Sequence, residues 1–552
     1  MAEKNFALMP DVNITRSKFL RPFTHKLTMK AGEIVPLMID EVLPGDSRVI
    51  EVSDLIRCSP ITDFMDDLDL DIYAFFVPNR LVWDDWKKCM GENDTAAGAV
   101  TSFPTVPYKT IGLSSLGGHE ISRGSIGDYM GIPPVTSGVA GDTTDYYGGY
   151  LHDVSVLPIR GYRLIYNRWF RDQNVEAPLV VSTGAATSYD DYSATPFVAY
   201  KKSDLWTRSL PYAQKGAAVQ LPLVGSGLLP VVADSTAGMH AFGSTPKLGF
   251  GGTPFGSAFF AHLGVLGTGG LDGNIAIDED DASTGSNRNI GSSNLYAKLT
   301  TASMATINQL REAFQTQKLL ERDTFGTRYW EVLYSHFKTK SPDASLQDPE
   351  YLDGWCQPIA VQQVLSTNGA SGGDLGAVGA NSVTGGSHTI VKKSFVEHGF
   401  LHIYGVVRLH KHTYSQGIPT MFNRRDRYDF YWPEFANLGA MELFQENLYV
   451  AAPHATFGYQ EAWADYRYHQ NQVSSLLRPG YSGSLPTWTM ADSYSGIPTL
   501  SSSFLKEDRN VIARCLTTGT SSNYDFICDF YFKDIATRPL PMYSIPGLID
   551  HH

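Results

Sequence analysis

The sequence predicts a mainly β fold in which strands are joined by long loops and helices are few and short. Three observations support this prediction. The 51 glycines and 30 prolines among 552 residues imply many turns. The stretch before residue 90 has the apolar runs and strict alternation typical of strands, whereas only two segments show a clear helical spacing of apolar residues. Hydrophobic residues make up 43% of the chain and charged residues 18%, which indicates a folded rather than a disordered chain.

Two strand-forming stretches lie near the N-terminus. Glu33–Leu43 is an apolar run that ends at the turn Pro44–Asp46. Asp67–Phe75 begins with a strict alternation, which places apolar and acidic side chains on opposite faces of a strand. One face carries Leu68, Leu70 and Ile72, and the other carries Asp67, Asp69 and Asp71.

These three aspartates are also compatible with the start of a calcium-binding loop. Such a loop needs a glycine at its sixth position and a glutamate at its twelfth. Counting from Asp67, those positions hold Ile72 and Pro78. We therefore interpret the aspartates as the hydrated face of a strand.

Two segments predict helices. Pro158–Phe170 places four apolar or aromatic residues on one stripe at helical spacing: Tyr162, Ile165, Tyr166 and Trp169. Thr306–Arg322 begins with a capping box formed by Thr306 and Gln309, and Gly326 can close it. Its apolar face consists of Ile307, Leu310 and Phe314. We interpret both stripes as packing faces, not as cofactor sites.

The composition of the chain changes in its middle. Glycine, serine, threonine and alanine are dense from about residue 183 to 303, and again from 366 to 387. Loops of this length in a compact protein are usually functional or mobile. We interpret both stretches as surface excursions from a β scaffold.

The net charge of -13 excludes a protein whose whole surface binds nucleic acid, so such a role would need a local basic patch. One candidate is the segment 1–30, in which six basic residues face two acidic ones, a local charge of +4. Its central basic residues are Arg16, Lys18, Arg21 and Lys26. The alternative is an ordinary solvated terminus.

Cysteine usage and hydropathy indicate a chain that folds in a reducing compartment. The five cysteines are scattered and form no CxxC pair, which disfavours a disulfide framework or a zinc ribbon. No run of about 18 apolar residues occurs, and the N-terminus lacks an apolar signal core. We therefore expect no membrane insertion and no signal-dependent export.

The motifs that could carry catalysis are weak. Gly369–Gly373 matches the G-x-S-x-G pattern of a serine hydrolase around Ser371, but it lies in a glycine-rich run where no strand leads into a helix. No phosphate-binding G-x-x-x-x-G-K-[ST] sequence occurs. We therefore predict a protein that is not an enzyme and needs no cofactor.

Metal sites are also poorly supported. Four closely spaced histidines invite a zinc interpretation, but no third ligand stands at a typical distance, and we interpret them as structural or surface residues: His398, His402, His410 and His412. The acidic run Asp278–Asp281 is compatible with weak cation binding, but we interpret it as a solvated loop tip. We predict no metal site.

A series of longer motifs is far more specific. In chain order these are VPLMIDEVLPGD (35–46), FFVPNRLVWDDWKKCMGE (75–92), WFRDQN (169–174), ATINQLR (305–311), KLLERD (318–323), GTRY (326–329), SPDA (341–344), FGYQE (457–461), DYRY (465–468) and PGLID (546–550). This ordered set resembles the major capsid protein of the Microviridae, in its gokushovirus branch. The resemblance runs from about residue 17 to the C-terminus, and the stretch 183–303 carries none of these motifs.

The resemblance implies a fold and an assembly. The fold is an eight-stranded viral jelly roll with long loop insertions and a few short helices. Sixty copies would form a T=1 icosahedral shell around a circular single-stranded DNA genome. The implied partners are other copies of the chain, the genomic DNA, an internal scaffolding protein, a DNA pilot protein and a host cell-surface receptor. The implied location is the virion, assembled in the cytoplasm of the host bacterium.

Under this interpretation the chain divides into four parts. They are a basic N-terminal arm (1–30), a first part of the jelly roll with a helical insertion (31–182), an insertion that is a candidate for a surface protrusion at the three-fold axes (183–303), and a second part with long loops and a C-terminal arm (304–552). Arg16, Lys18, Arg21 and Lys26 become the predicted contacts to genome phosphates. The insertion becomes a candidate for host attachment.

Shell assembly would also explain aromatic residues outside clear core segments, because aromatic side chains are favoured in interfaces. Examples are Trp83, Trp86, Trp432, Tyr466 and Tyr468. The alternative for each is burial in the core of the subunit. Two other functions remain open, a carbohydrate-binding β protein and a hydrolase built on Ser371, although neither accounts for the ordered motifs.

Overall fold

A computed structural model provides the fold of the protein. The structure describes residues 15–92, 102–114, 117–135, 151–217, 219, 307–324, 326–367, 375–376, 378–410 and 413–543, together with five short strands between residues 228 and 298. Contacts divide the chain into two compact units. One comprises residues 1–216 and 320–552, and the other comprises residues 217–319.

Eight strands of the first unit form two antiparallel sheets. The strands are β1 (Ser17–Met29), β2 (Val35–Val42), β3 (Ser47–Cys58), β4 (Leu68–Pro78), β5 (Glu350–Ile359), β6 (Val378–Ser394), β7 (Gly399–Leu409) and β8 (Phe526–Arg538). One sheet has the order β1-β8-β3-β6, extended beyond β6 by the strand Gln362–Leu365, and the other has the order β5-β4-β7-β2. Successive strands alternate between the sheets, except that β4 and β5 pair within one sheet. This arrangement is an eight-stranded jelly roll. This confirms the predicted fold class.

The core lies between the two sheets because each strand turns alternate side chains toward the other sheet. On β3 and β8 the inward residues are buried while most of their neighbours are exposed or half-buried. The core includes Ile50, Val52 and Ile56 of β3, Leu68, Leu70 and Ile72 of β4, Leu401 and Ile403 of β7, and Phe526, Phe530 and Phe532 of β8. The alternation read from Asp67–Phe75 therefore places the apolar face of β4 correctly.

The acidic face of β4 differs from the prediction. Asp67 is exposed, but Asp69 and Asp71 are only 2% and 3% exposed, so their interpretation as a hydrated face is wrong. The Arg408 guanidinium donates to Asp71 at 2.6 and 2.9 Å, and Lys202 pairs with both aspartates. These cations come from β7 and from a loop distant in sequence. The pattern within β4 therefore could not show that its second face is covered.

Two long insertions interrupt the jelly roll, between β4 and β5 and between β7 and β8. The helices among the described residues are α1 (Asn79–Val82), α2 (Trp86–Cys89), α3 (Ile126–Tyr129), α4 (Leu157–Ile165), α5 (Ile307–Thr324), α6 (Tyr329–Phe337), α7 (Asp343–Leu346), α8 (Gln445–Leu448), α9 (Ala464–Arg467), α10 (Ser502–Leu505) and α11 (Arg509–Ala513). Additional strands are Tyr108–Ile111, His152–Ser155, Leu228–Pro230, Gly264–Val265, Ile275–Ile277, Arg288–Asn289, Tyr296–Lys298, Tyr414–Ser415, Ala440–Phe444, Thr456–Glu461 and Asn471–Gln472. Single turns of 3₁₀-helix cover Thr420–Phe422, Arg427–Asp429, Pro433–Phe435 and Ser475–Leu477.

Both predicted helices are present. The first is α4, which continues as a π-helical turn over Tyr166–Phe170, and its stripe packs in a second core on the outer face of the β4–β7 sheet. The second is α5, but Leu310 and Phe314 of its predicted packing face are exposed by 37% and 60%. The packing interpretation is therefore confirmed for α4 and wrong for these two residues of α5.

The loop after residue 183 also differs in part from a surface excursion. Tyr192, Ala199 and Trp206 are buried, and the first unit extends to residue 216. Residues 198–202 run beside β4 and β7, and the Ala199 N–H donates to the Gly32 carbonyl at 2.8 Å. The glycine-rich composition did not reveal these aromatic anchors.

Glu507, a buried glutamate whose N–H donates to the Ala199 carbonyl at 3.0 Å, predicts a dependence of stability on pH. Burial raises the pKa of Glu507 to about 8, although Lys201 and Arg408 oppose the shift. The pKa in the folded chain thus exceeds that of the unfolded chain, so the stabilisation is complete below the unfolded value of 4.5 and is lost as pH rises through 8. We expect Glu507→Gln to raise the melting temperature relative to the parent chain by an amount that grows from pH 5 to pH 8. Thermal melts at four pH values test this, and a difference independent of pH would contradict it.

Candidate nucleic-acid and assembly surfaces

The four predicted DNA contacts lie on or beside β1, the edge strand of its sheet. β1 pairs along its whole length with β8, from Ser17 opposite Arg538 to Met29 opposite Phe526. Lys18 and Lys26 occupy even positions and are exposed on the outward face of the sheet, and Arg16 is exposed just before the strand. The structure therefore brings three of the predicted residues to one exposed edge.

Arg21 differs from the other three because it belongs to an internal ion network. Its Nη2 donates to Asp40 at 2.8 Å, and its Nε lies 3.5 Å from Asp534. The same two carboxylates hold Arg48, whose side chain is fully buried. Arg21 thus has a structural task that its position in a basic segment did not reveal.

Lys26 lines a groove on the outward face of the sheet. The groove has a volume of about 720 Å³ and is lined by His25, Lys26, Leu27, Thr28, Leu55, Arg57, Arg123, Gly124, Asp128, Tyr129, Pro134, Ile527, Cys528 and Asp529. A neighbouring depression shares Lys26, Leu55 and Asp529 with it and adds Tyr531. Cationic side chains can hold phosphates, and tyrosine rings can stack on unpaired bases.

Sequence reasoning missed Arg57 and Arg123 as neighbours of Lys26. Arg57 lies on β3 opposite Ile527 of β8, and Arg123 comes from the insertion after β4. Neither stands in a basic segment of the sequence. Only the pairing of β1, β8 and β3 brings these side chains to one groove.

The aromatic residues singled out from the sequence fall into two groups. Trp83 is 2% exposed and packs in the core beside α4, so the core alternative holds for it. Trp86 is half-buried against the same core. Trp432, Tyr466 and Tyr468 are exposed by 38–56%. These three are therefore available for contacts outside the subunit.

The histidines behave as structural residues where the structure describes them. His402 is fully buried, its Nδ1 lies 2.8 Å from the Tyr404 hydroxyl, and burial lowers its pKa to about 3. His410 pairs with Asp69 at 2.7 Å, and the His398 ring contacts Trp86. Within the described ranges, no three histidine, cysteine or acidic side chains are grouped to hold a metal ion.

Several residues of the chemical motifs lie outside the described residues. These are Ser371, His412 and the acidic run Asp278–Asp281. The five cysteines are all free thiols, and burial raises the pKa of Cys515 to about 11. Among the helices that the structure describes, none has the length and apolar character needed to cross a bilayer.

Comparison with known proteins agrees with the jelly roll. Residues 7–548 match the family described as capsid protein (F protein). The chain is 35% identical to capsid protein VP1 of Bdellovibrio phage phiMH2K, and the alignment covers 99% of this chain and 98% of the relative. It is 33% identical to capsid protein VP1 of Spiroplasma virus 4, covering 99% and 97%, and 32% identical to that of Chlamydia phage 1, covering 99% and 98%. These three viruses are gokushoviruses, so the resemblance read from the motifs is confirmed.

Proposed function

The chain belongs to the capsid protein (F protein) family and is a major capsid protein of the virion, and we propose that sixty copies close into a T=1 shell around a circular single-stranded DNA genome. The observation that carries this proposal is the end-to-end match to capsid proteins VP1, together with an eight-stranded jelly roll. The jelly roll supports the role physically, since its two sheets form a rigid body whose long loops are free to make contacts between copies. Catalysis of its own is no part of this proposal.

Electron microscopy with icosahedral averaging tests the shell. The chain is expressed in bacteria with the internal proteins of its virus, and we expect closed particles in which sixty jelly rolls can be placed. Other closed symmetries would refute the T=1 proposal. If the chain forms nothing larger than monomers or small oligomers, the proposed shell itself is refuted.

We propose that the genome contacts Arg16, Lys18, Arg21 and Lys26 through its phosphates. The exposed positions of Arg16, Lys18 and Lys26 support this, and so does the groove beside Lys26. The nearest acid to Lys26 is Asp529 at 3.9 Å, and this exposed pair adds little stability. Arg21 reaches a phosphate only from within its ion network.

The double charge reversal Lys18→Glu and Lys26→Glu tests this contact. We expect shells to form but to contain much less DNA, because two phosphate contacts become repulsive. The ratio of absorbance at 260 nm to 280 nm of purified particles measures the DNA content. Lys87→Glu, which reverses an exposed charge on α2, is the matched control and should leave packaging unchanged. Full packaging by the double variant would contradict the contact.

Further partners belong to the same proposal. We propose that assembly takes place in the cytoplasm of the host bacterium with an internal scaffolding protein and a DNA pilot protein. Of the insertion 183–303, the part outside the first unit, residues 217–303, is proposed as the protrusion at the three-fold axes that contacts a host receptor. The support for that insertion is its length and its glycine- and serine-rich composition, which are typical of functional excursions.

A further inference from the structure

An exposed aromatic surface lies in the insertion between β7 and β8. It consists of Phe422, Tyr428, Phe430, Tyr431, Trp432 and Tyr466, whose exposed fractions range from 38% to 71%. With side chains of roughly 200 Å² each, these six present about 650 Å² of aromatic area. One partner in a standard protein interface contributes about 800 Å². The area is therefore close to that of a specific contact.

The aromatic surface is held rigidly although it contains no long helix or strand. The Trp432 indole N–H donates to the Arg427 carbonyl at 3.0 Å, and that of Trp463 donates to the Phe435 carbonyl at 2.9 Å. Trp463 has a φ of +61°, a left-handed conformation that is unusual for a large residue and persists only when its surroundings fix it. Its ring packs edge-on against Tyr431 at 5.5 Å. A surface ordered in advance loses less entropy on binding.

Arginine side chains lie over two of these aromatic rings, an arrangement that is typical of protein interfaces. The Arg424 guanidinium lies 4.3 Å from the centre of the Tyr466 ring, and that of Arg427 lies 5.0 Å from the Trp432 ring. Arg424 also pairs with Asp465. Tyrosine, tryptophan and arginine are the residues that dominate the binding energy of protein interfaces.

The net charge of this surface favours a second copy of the chain over DNA as its partner. Residues 421–441 contain three arginines and three acids, so the segment is neutral, whereas the whole chain carries -13. A neutral surface lacks the excess of positive charge that attracts DNA. It also lets two copies of an acidic chain approach without the repulsion that most of their surface would impose.

We propose that the aromatic surface is a contact between copies of this chain in the shell. The contact rests on the proposed function, and it names the surface that carries part of the assembly energy. In the closed shell these side chains lie against a second copy. In a dissociated subunit they face water.

Hydroxyl-radical footprinting of unmodified particles tests the contact directly. Tyrosine and tryptophan oxidation is measured by mass spectrometry in closed shells and in subunits dissociated under non-denaturing conditions. We expect oxidation of Tyr428, Trp432 and Tyr466 to fall strongly in shells. Equal oxidation in the two states would overturn the proposed contact. Such a result would leave the proposed shell intact, because the measurement is made on closed shells.

Substitution provides the second test. The double substitution Tyr428→Glu and Phe430→Glu introduces charges at two positions that are exposed in the folded subunit. It should therefore leave the fold of the subunit intact. We expect loss of closed shells with an unchanged melting temperature of the subunit, whereas Tyr428→Phe should assemble normally. Shells formed by the double variant would overturn the contact, whether or not those shells still bind to a glycan array. If the parent chain itself forms no shells, the proposed function fails instead.

Discussion

Replacing Arg48 with alanine is expected to lower the free energy of unfolding by about 3–5 kcal/mol, because it leaves a buried carboxylate without its partner. The side chains of Arg48 and Asp534 are both fully buried. Arg48 donates to the two oxygens of Asp534 at 3.0 and 2.6 Å and to Asp40 at 2.7 Å. Burial disfavours the charge on Arg48, but the two carboxylates outweigh it and raise the pKa of the guanidinium. Urea unfolding of dissociated subunits measures the effect.

A matched control lies on the same strand. Arg57 is exposed on the outward face of β3, and Arg57→Ala should change the free energy of unfolding by less than about 0.5 kcal/mol. Removing both charges with Arg48→Met and Asp534→Leu should recover much of the loss, since a buried pair replaced by apolar residues is often neutral. A loss below about 1 kcal/mol for Arg48→Ala would contradict the prediction and show that Arg21 or water compensates the charge of Asp534 in the folded chain.

The same network separates the two tasks of the N-terminal basic residues. Arg21 joins Asp40 and Asp534, so we expect its loss to lower stability. Lys18 and Lys26 are exposed, so we expect their loss to leave stability unchanged and to affect only the proposed contact with DNA. Sequence composition does not distinguish the four basic residues, because it gives the charge of the segment but not the face of the strand on which each side chain lies. Knowing that β1 is a strand with an inward and an outward face is what distinguishes them.

Local patterns predicted the parts of the fold that local physics determines. The apolar face of β4, the helix at α4 and the span of α5 follow from periodicity. The pairing of β1 with β8, about 500 residues apart in sequence, does not follow from any local pattern. Only the resemblance to a family predicted the jelly roll.

The same limit explains the errors. Asp69 and Asp71 alternate with core residues as solvated aspartates would, and their cover arrives from Lys202 and Arg408 on other segments. The groove around Lys26 collects arginines from two further segments for the same reason. Long-range pairing decides which polar faces are buried, and the alternation of a single strand carries no information about it.

Arg160 provides the second large prediction, and it concerns the geometry of a cation. Its side chain is fully buried in α4, and its guanidinium donates to Asp190 at 3.0 Å. It also donates to the carbonyls of Val82, Gly184 and Ala186 at 2.9 to 3.2 Å. One planar group thus fastens the loop 184–190 to both α1 and α4. A lysine carries the same charge but cannot reach four acceptors in different directions.

We therefore expect Arg160→Lys to destabilise the chain nearly as much as Arg160→Ala, by about 3 kcal/mol or more, because buried carbonyls and Asp190 lose their donors. Hydrogen exchange should show faster exchange in residues 183–192 in both variants. Arg168→Lys is the control, since Arg168 is half-exposed and holds Asp348 at 2.9 Å through a pair that a lysine can replace. If Arg160→Lys kept the exchange rates of the parent chain, charge alone would hold the loop, and the fork geometry of the guanidinium would have no part in the packing of this insertion.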